Sequence, residues 1–533
     1  MKVISQLFRA LSKRERNVFF VLVLVFMVSL GARGVIAVQE NTEYVPVKGG
    51  EYREGILGQP TTVNPVYSGN TIDHDISALI FSKLGDLMET WNMNGEYTVF
   101  TVNLKEGLLW DDGTPLTSDD VVFTVQTIQD PKSNSTFFKN WQGVGIERVS
   151  ELQVRIALPA PYVFFSENIK RLPVIPKHIF GTVPAENMLL SSYNLEPVGS
   201  GPFKFESLSQ KKNGFISEYR LTANDLYHGE EPYLEEFSFR FFEDRESLIA
   251  GIREREVNGF GSLVPGESEI ISSIPQTMTE YIRMPRTYSI FFNSNNNPVL
   301  KDKSVRLALS LSVPKERIVN EVLGEEARIA DSPFGDIFGE NSPLEYDPES
   351  AKTLLEESGE DVNLTLVVPD MPFLAETADM VREAWTDIGV SNVTIVLRKP
   401  GDILETVIKP NNYEVLIFGN VLEIPEDLFP FWHSSQRVYP GLNLAFYKND
   451  QVDKLIESVR ETGDPEKQKE LIELVEAFIL DDVPAVFLFS LPYTYTHSDS
   501  LGGFLGENDL IVSPSDRFKN VAGWYVKRAR VFK

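Results

Sequence analysis

Residues 108–125 (LLWDDGTPLTSDDVVFTV) constrain the fold most, because this run combines the end of a strand, a tight turn and a capped helix. Asp112-Gly113 is a strong turn dipeptide. Thr117 or Ser118 can cap the following helix, since a side-chain oxygen there accepts from the free amides of the first turn. The helix then carries an apolar stripe made of Val121, Val122, Val125 and Ile128. The run therefore predicts a strand and a helix packed in one lobe.

The rest of the chain mixes the two kinds of periodicity. Apolar and polar residues alternate as in strands at 97–104, 153–158 and 237–242, and helical periodicity is present at 351–358, 375–388 and 466–480. Elements of both kinds along the chain predict mixed α/β lobes. With 533 residues, 42% of them hydrophobic, the chain can build two or three lobes that each have a core.

Further short motifs occur in a fixed order along the chain. They are GGEYR at 49–53, QPTTVNP at 59–65, VIPKH at 174–178, PVGSGPF at 197–203, NDLY at 224–227, IFFN at 290–293, VRLAL at 305–309 and YDPESAK at 346–352. Together with 108–125 they resemble family 5 of the solute-binding proteins, over residues 49–500. The chain departs from the family pattern at 311–315 (LSVPK) and at Asn258. These departures weaken any transfer of fine ligand specificity.

The resemblance implies a periplasmic-binding-protein-like α/β fold with two large lobes, an inserted small lobe and a hinge. It divides the chain into a signal peptide or membrane anchor (1–38), a linker (39–48), a discontinuous first lobe (45–82, 195–283 and 490–533), the small lobe (83–194) and a second lobe (284–489). The hinge is expected near 284 and 489, and closure of the two lobes around ligand is the expected motion.

The N-terminal segment directs the body of the protein across a membrane. Five basic residues precede an apolar run at 18–30, a charge bias that keeps the start cytoplasmic. The run is short for a span and typical of a signal sequence, with a cleavage site at 35–37. Alternatively, Arg33 snorkels and the segment stays as an anchor. Both predictions place the body outside the cytoplasm, on the cell surface or in a periplasm.

Charge and cysteine content exclude several partners. The formal net charge is −27, and residues 39–533 alone carry 44 basic and 76 acidic residues, a net of −32. Such a surface repels nucleic acid, whose binding depends on neutralising phosphates. The chain has no cysteine, which excludes disulfides, thiolate metal sites and the lipidated cysteine that anchors many members of the family. We expect no cofactor, and a monomer.

By resemblance, an extended peptide lies between the lobes and pairs with backbone as an added strand. The corresponding segments are 286–289 and 418–421, and Glu423 falls where the family places a carboxylate for the peptide's amino terminus. Aromatic and loop positions complete the expected cleft. The predicted ligand-binding residues are Glu423, Gly419, Asn420, Val421, Thr287, Tyr288, Asn70, Trp141 and Trp432.

The function that the resemblance implies is peptide capture for an ATP-binding-cassette importer, whose permease and ATPase are other chains. A non-peptide ligand (sugar, opine or metal chelate) and a sensing role stay open. An exported hydrolase is the rival class, but the sequence lacks a His-Glu-x-x-His pair, a Gly-x-Ser-x-Gly elbow and a phosphate-binding Gly-x4-Gly-Lys-Ser/Thr loop. We therefore expect a binding protein and no enzyme.

Overall fold

The computed structural model of the chain describes residues 12–262, 264–265, 267, 270–271, 273–324, 327–334, 345–505 and 509–533. Lys2 and Arg9 of the basic N-terminal region lie outside this part, as do the side chains of 34–38, which include the predicted cleavage site.

The described part contains nineteen strands. They are β1 Thr42–Pro46, β2 Glu51–Leu57, β3 Met88–Met93, β4 Val99–Leu104, β5 Gly145–Ser150, β6 Gln153–Ala157, β7 Phe203–Gln210, β8 Ile216–Ala223, β9 Glu236–Phe242, β10 Gly259–Gly261, β11 Thr277–Ile282, β12 Arg286–Phe292, β13 Arg328–Ile329, β14 Asn363–Pro369, β15 Asn392–Arg398, β16 Val415–Val421, β17 Ala485–Ser490, β18 Tyr493–Ser498 and β19 Arg528–Phe532.

Sixteen α-helices lie in the same part of the chain. They are α1 Lys13–Glu40, α2 Thr71–Ile80, α3 Leu84–Leu87, α4 Ser118–Gln129, α5 Phe138–Trp141, α6 Phe165–Arg171, α7 Lys177–Phe180, α8 Arg245–Arg253, α9 Lys303–Leu311, α10 Lys315–Ile318, α11 Pro348–Ser358, α12 Pro372–Asp387, α13 Pro400–Ile403, α14 Phe429–Trp432, α15 Asp450–Glu461 and α16 Pro465–Asp482. The strands and helices predicted from periodicity are confirmed, with ends that shift by a few residues.

The strands form four sheets. The seven-stranded sheet has the order β11-β18-β10-β2-β9-β8-β7, and the six-stranded sheet has the order β13-β17-β12-β16-β14-β15. A four-stranded sheet (β3-β4-β6-β5) and a two-stranded ribbon (β1-β19) complete the set. The seven-stranded sheet takes strands from three separate parts of the chain, as a discontinuous lobe requires. The exact lobe boundaries stay a prediction.

Hydrophobic cores follow these sheets. One buried cluster joins the seven-stranded and four-stranded sheets. Two others include Ile290 and Ile417 in one case and Phe291 and Leu416 in the other. Because neighbouring residues of a strand point to opposite faces, these two clusters cover the two sides of the six-stranded sheet.

The turn and the helix of the run at 108–125 fold as predicted, but the predicted strand end does not form: β4 stops at Leu104, and Leu109 makes only an isolated bridge with Pro115. Gly113 has φ +86°, the left-handed conformation that favours glycine in a turn. Of the two candidate caps, Thr117 is the one used: its side chain accepts from the amide of Asp119, and Asp120 completes a capping box. Val121, Val125 and Ile128 are fully buried. The apolar stripe of this helix therefore serves packing.

The N-terminal part differs from a simple linker. Helix α1 runs to Glu40, and its stretch Lys13–Arg33 is long and apolar enough to cross a membrane. Only Asn41 separates the helix from β1, which pairs with β19 along its whole length, from Thr42↔Phe532 to Pro46↔Arg528. The segment predicted as a linker is thus largely a strand. Its partner lies almost 500 residues away, so local sequence gave no sign of the pairing.

A buried ionic cluster joins the distant segments of the seven-stranded lobe. Arg517 is 2% exposed and donates to Glu54 Oε1 at 2.8 Å and to Asp75 Oδ2 at 2.7 Å. Tyr495 donates to the second oxygen of Glu54 at 2.6 Å and lies 2.8 Å from the hydroxyl of Tyr52. Burial raises the pKa of Glu54 and of Asp75, while the Arg517 guanidinium lowers both. The cluster connects β2, α2, β18 and the segment around 517.

Arg517→Met tests this cluster. The substitution leaves two buried carboxylates without their cation, so we expect the free energy of unfolding to fall by about 3–5 kcal/mol, measured by urea denaturation. Lys519→Met is the matched control, because the ion pair of Lys519 with Asp509 is exposed and should contribute less than about 1 kcal/mol. Equal effects of the two substitutions would contradict the role given to Arg517.

Candidate functional site

The two segments predicted to line the cleft are neighbours in the six-stranded sheet. Strands β12 and β16 pair in antiparallel register, with Thr287 opposite Asn420 and Tyr288 opposite Gly419. One further step places Arg286 opposite Val421. Sequence reasoning named both segments but gave no sign that they pair with each other.

Only one of these strands has an edge that could accept an added strand. Strand β12 is paired on its other side with β17 from Thr287 onward, with Thr287 opposite Ser490. The backbone of 287–289 is therefore already paired on both sides and offers no edge to a peptide. Strand β14 pairs with β16 only at Val415 and Leu416. Among the described residues, no strand occupies the second edge of 417–421. Such an edge presents backbone amides and carbonyls in the pattern that extended ligands use.

Tyr288 fixes the shape of this region. Its side chain is 8% exposed and lies between Phe489, with ring centroids 5.2 Å apart, and Phe373, at 5.7 Å. A Cβ atom on Gly419 would lie 2.9 Å from the Tyr288 ring. The glycine therefore lets the ring pack directly against β16.

Tyr288 also lines a cavity of about 200 Å³ where the six-stranded and seven-stranded sheets meet. We call it the hinge cavity. Its wall includes Tyr281, Tyr493 and Pro514 from one side and Arg286, Tyr288, Met371 and Phe373 from the other. The volume is below the roughly 300–1,000 Å³ of clefts that take drug-sized ligands. A longer ligand would extend beyond this cavity or need the lobes to part.

Arg286 is the cation in the wall of the hinge cavity. Its Nε is buried and has no hydrogen-bond partner in the described part of the chain. The guanidinium lies 5.6 Å from the centroid of the Tyr288 ring, and no described carboxylate forms an ion pair with it. An unpaired guanidinium beside aromatic rings is suited to an anion, above all a carboxylate. In the sequence, Arg286 is a single arginine at the start of an apolar strand, and that pattern alone does not predict a ligand-binding residue.

Glu423 lies near this region but is not buried. Its side chain is 70% exposed, and its carboxylate is 3.8 Å from Nη1 of Arg171, which also donates to the Glu423 carbonyl at 2.8 Å. His74 on α2 lies close enough for Glu423 to raise its pKa, although burial lowers it overall. Glu423 therefore lies between groups of the seven-stranded and four-stranded lobes.

Asn70, Trp141 and Trp432 are not part of the hinge cavity. Asn70 caps α2 and donates to Asp73 Oδ2 at 2.7 Å. Trp141 is 1% exposed and packs against Phe165 in the core. Trp432 is 3% exposed and packs against Phe487. Aromatic type and position suggested a cleft, but the three-dimensional packing gives both indoles a structural role.

Titratable groups outside the cavity have structural partners. Asp111 accepts from the amide of Gly199 at 2.9 Å, and burial raises its pKa to about 6. Asp112 lies 2.9 Å from Nε2 of His178. In the described residues, no group of three or more His, Asp or Glu side chains could hold a metal ion.

Residues 84–437 match the model of the bacterial extracellular solute-binding proteins, family 5. The chain belongs to this family. It is 26% identical to the oligopeptide-binding protein AppA of Bacillus subtilis over 513 residues, which cover 89% of this chain and 92% of AppA. This membership confirms the resemblance found in the sequence, and with it an extracellular class of protein.

Solved structures show the same fold. The substrate-binding protein CtaP of Listeria monocytogenes superposes with a TM-score of 0.80 at 26% identity, covering 90% of this chain and 100% of CtaP. AppA in complex with a nonapeptide gives 0.74 at 24% identity, over 91% and 100% of the two chains. MoaA of A. tumefaciens R10, in complex with mannopinic acid, gives 0.72 at 24%, over 90% and 100%. The predicted periplasmic-binding-protein-like fold is confirmed.

In this member of the family, the four-stranded lobe contacts the six-stranded lobe through a buried charge. Asp427 is 4% exposed and accepts from Tyr162 at 2.6 Å and from Arg460 Nη2 at 2.8 Å. The Arg460 guanidinium lies between the rings of Tyr162 and Phe429, 4.1 Å from each centroid. We call Tyr162, Asp427 and Arg460 the interlobe latch. It holds the two lobes together outside the hinge cavity.

Asp427→Asn tests whether the latch sets the distance between lobes. The change weakens the charge-assisted hydrogen bonds that Asp427 accepts from Tyr162 and from Nε and Nη2 of Arg460, each worth about 1.5–3 kcal/mol. We therefore expect a larger radius of gyration by small-angle X-ray scattering. Glu426→Gln makes the same chemical change one residue away and should leave the radius unchanged. An unaltered radius in Asp427→Asn would show that the lobes stay together without the latch.

Proposed function

We propose that this protein is the extracytoplasmic substrate-binding subunit of an ATP-binding-cassette importer, and that it captures peptides between its lobes and delivers them, unaltered, to a permease. Family membership supports the importer class. The observation that carries the peptide assignment is the unpaired edge of β16 at 417–421, beside the hinge cavity. The amides and carbonyls of a strand edge can pair with the backbone of any extended peptide. Such pairing does not depend on the side chains of the peptide.

Charged groups near this edge suit the two ends of a peptide. Arg286 would bind the terminal carboxylate, because its guanidinium lies unpaired in the cavity wall. Glu423 would bind the ammonium after exchanging its 3.8 Å contact with Arg171 for the ligand. Both positions lie where the six-stranded sheet ends, since Arg286 pairs with Val421, two residues before Glu423. Their proximity along the sheet favours a short peptide.

A second candidate is a small non-peptide carboxylate. The hinge cavity of about 200 Å³, with aromatic walls and a single described cation, would suit such a ligand without using the β16 edge. AppA and MoaA show that members of this fold class differ in ligand. The two candidates differ in whether the ligand's backbone and ammonium group contribute to its binding affinity.

A thermal-shift screen of the full chain against peptide pools of defined length, nickel chelates, oligosaccharides and opines decides between them. A ligand bound only by the folded protein raises its melting temperature, by a free energy of about 2.7 kcal/mol at a hundredfold excess over Kd. We expect a shift with short peptides. A shift with opines alone would establish the second candidate and overturn the peptide assignment.

Blocked peptides assign the two charged groups. For the parent protein we expect C-terminal amidation and N-acetylation each to weaken binding about 10–100-fold by isothermal titration calorimetry, since each removes a charge-assisted contact. In Arg286→Gln amidation should no longer matter, and in Glu423→Gln acetylation should no longer matter. Each variant is thus the matched control for the other. If Glu423→Gln still distinguished acetylated from free peptides as the parent does, another group would bind the ammonium.

A further inference from the structure

The two-stranded ribbon lies directly beside the apolar helix. Helix α1 has 28 residues, which span about 42 Å at 1.5 Å per residue. A bilayer with its headgroups is about 40–45 Å thick. A retained α1 that crosses the membrane therefore ends at the outer headgroups, and β1 begins two residues later, at Thr42. The ribbon is the part of the folded body nearest to the lipid.

The β19 side of the ribbon is basic, although the protein is strongly acidic. The acidic residue of β1, Glu43, lies opposite Val531 and so belongs to the other face from Tyr44 and Arg530. Residues 527–533 contain four cations (Lys527, Arg528, Arg530 and Lys533) and no acidic residue, against a net charge of −27 for the chain. All four side chains belong to exposed residues. In the described structure, none of them forms an ion pair. The rest of the protein carries an excess of acidic residues, so this group of four cations differs in charge from the protein as a whole.

One face of the ribbon combines these cations with exposed aromatic rings. Tyr44 lies opposite Arg530, and Phe532 lies opposite Thr42. Because alternate residues share a face, Tyr44, Arg528, Arg530 and Phe532 project from the same side. Tyr44 is 66% exposed and Phe532 is 79% exposed. The Arg530 guanidinium lies 5.6 Å from the Tyr44 ring. Aromatic rings beside arginine and lysine are typical of membrane interfaces.

We propose that this face of the β1–β19 ribbon binds the outer surface of the membrane, with Tyr44 and Phe532 at the acyl boundary and Arg528 and Arg530 on the phosphates of anionic phospholipids. Lys533, which follows β19, adds a further positive charge at the end of the ribbon. The inference goes beyond ligand capture and rests on α1 being retained in the mature chain. The contact would hold the seven-stranded lobe at the bilayer, where the acidic body alone would be repelled by anionic lipid.

The test uses a single label on the full chain. The sequence has no cysteine, so Ala529→Cys gives one labelling site, at the end of the ribbon far from α1, where Ala529 pairs with Val45. The labelled protein is reconstituted into phosphatidylcholine vesicles with or without phosphatidylglycerol, and its fluorescence is quenched by headgroup spin-labelled lipid. We expect quenching to be at least about twofold stronger with phosphatidylglycerol, since each basic residue near an anionic surface adds to the attraction.

Neutralising the cations supplies the matched comparison. In the background of the labelled protein, R528Q/R530Q/K533Q should abolish the dependence on phosphatidylglycerol. K352Q/K399Q/K467Q removes three exposed lysines of the six-stranded lobe and should preserve it. Unchanged melting temperatures show that both triple variants are folded. Equal quenching in the two lipid mixtures would overturn the proposal, because the helix alone would then explain the position of the label. The same loss of phosphatidylglycerol dependence in both triple variants would also overturn it, because the effect would then not be specific to the ribbon.

Discussion

The salt bridge of Arg517 with Glu54 and Asp75 joins three distant parts of the chain within the seven-stranded lobe. It joins a strand near the start of the folded body to a helix and to a segment more than 440 residues away. The same guanidinium donates to the carbonyl of Pro514 at 2.8 Å, and Pro514 lines the hinge cavity. A wall of the candidate site is therefore held by a buried charge cluster in the lobe behind it. Both buried carboxylates have Arg517 as their cation, so the segments that carry them must meet at this one side chain.

The six-stranded sheet provides the other wall, and its strand order decides what the site can bind. Strand β12 lies in the interior, with β17 and β16 on its two sides, so it contributes side chains (Tyr288 and Arg286) but no free backbone. The pairing of β16 with β14 ends at Leu416, and among the described residues no strand pairs with 417–421 on that side. Cavity-lining side chains and unpaired backbone are thus supplied by different strands. The ring of Tyr288 packed on Gly419 fixes their relative position.

The sequence predicted what depends on local pattern and on resemblance. Thr117, Gly113 and the stripe of α4 could be predicted because capping, turn geometry and helical periodicity act within a few residues. The family, and hence the fold, came from ordered motifs. Contacts between distant segments could not be predicted: β1 with β19, Arg517 with Glu54, and Arg286 left without a partner. Trp141 and Trp432 show the limit of reasoning from residue type: a large aromatic ring fills a core as well as it lines a cleft, and both indoles are buried against other rings.

The interlobe latch has a consequence for ligand range. Tyr162, Asp427 and Arg460 contact one another and lie outside the hinge cavity, so their contacts stabilise the observed arrangement of the two lobes whatever the ligand. In a closure equilibrium, the apparent affinity depends on the fraction of protein able to close. If the latch supplies part of the free energy of closure, the ligand has to supply less of it. A ligand whose side chains fit the cleft poorly can then still be bound. If the ligand is a peptide, as proposed, recognition through the backbone edge of β16 and the contact through Asp427 would both favour a binding protein that accepts many peptides over one that selects a single side chain.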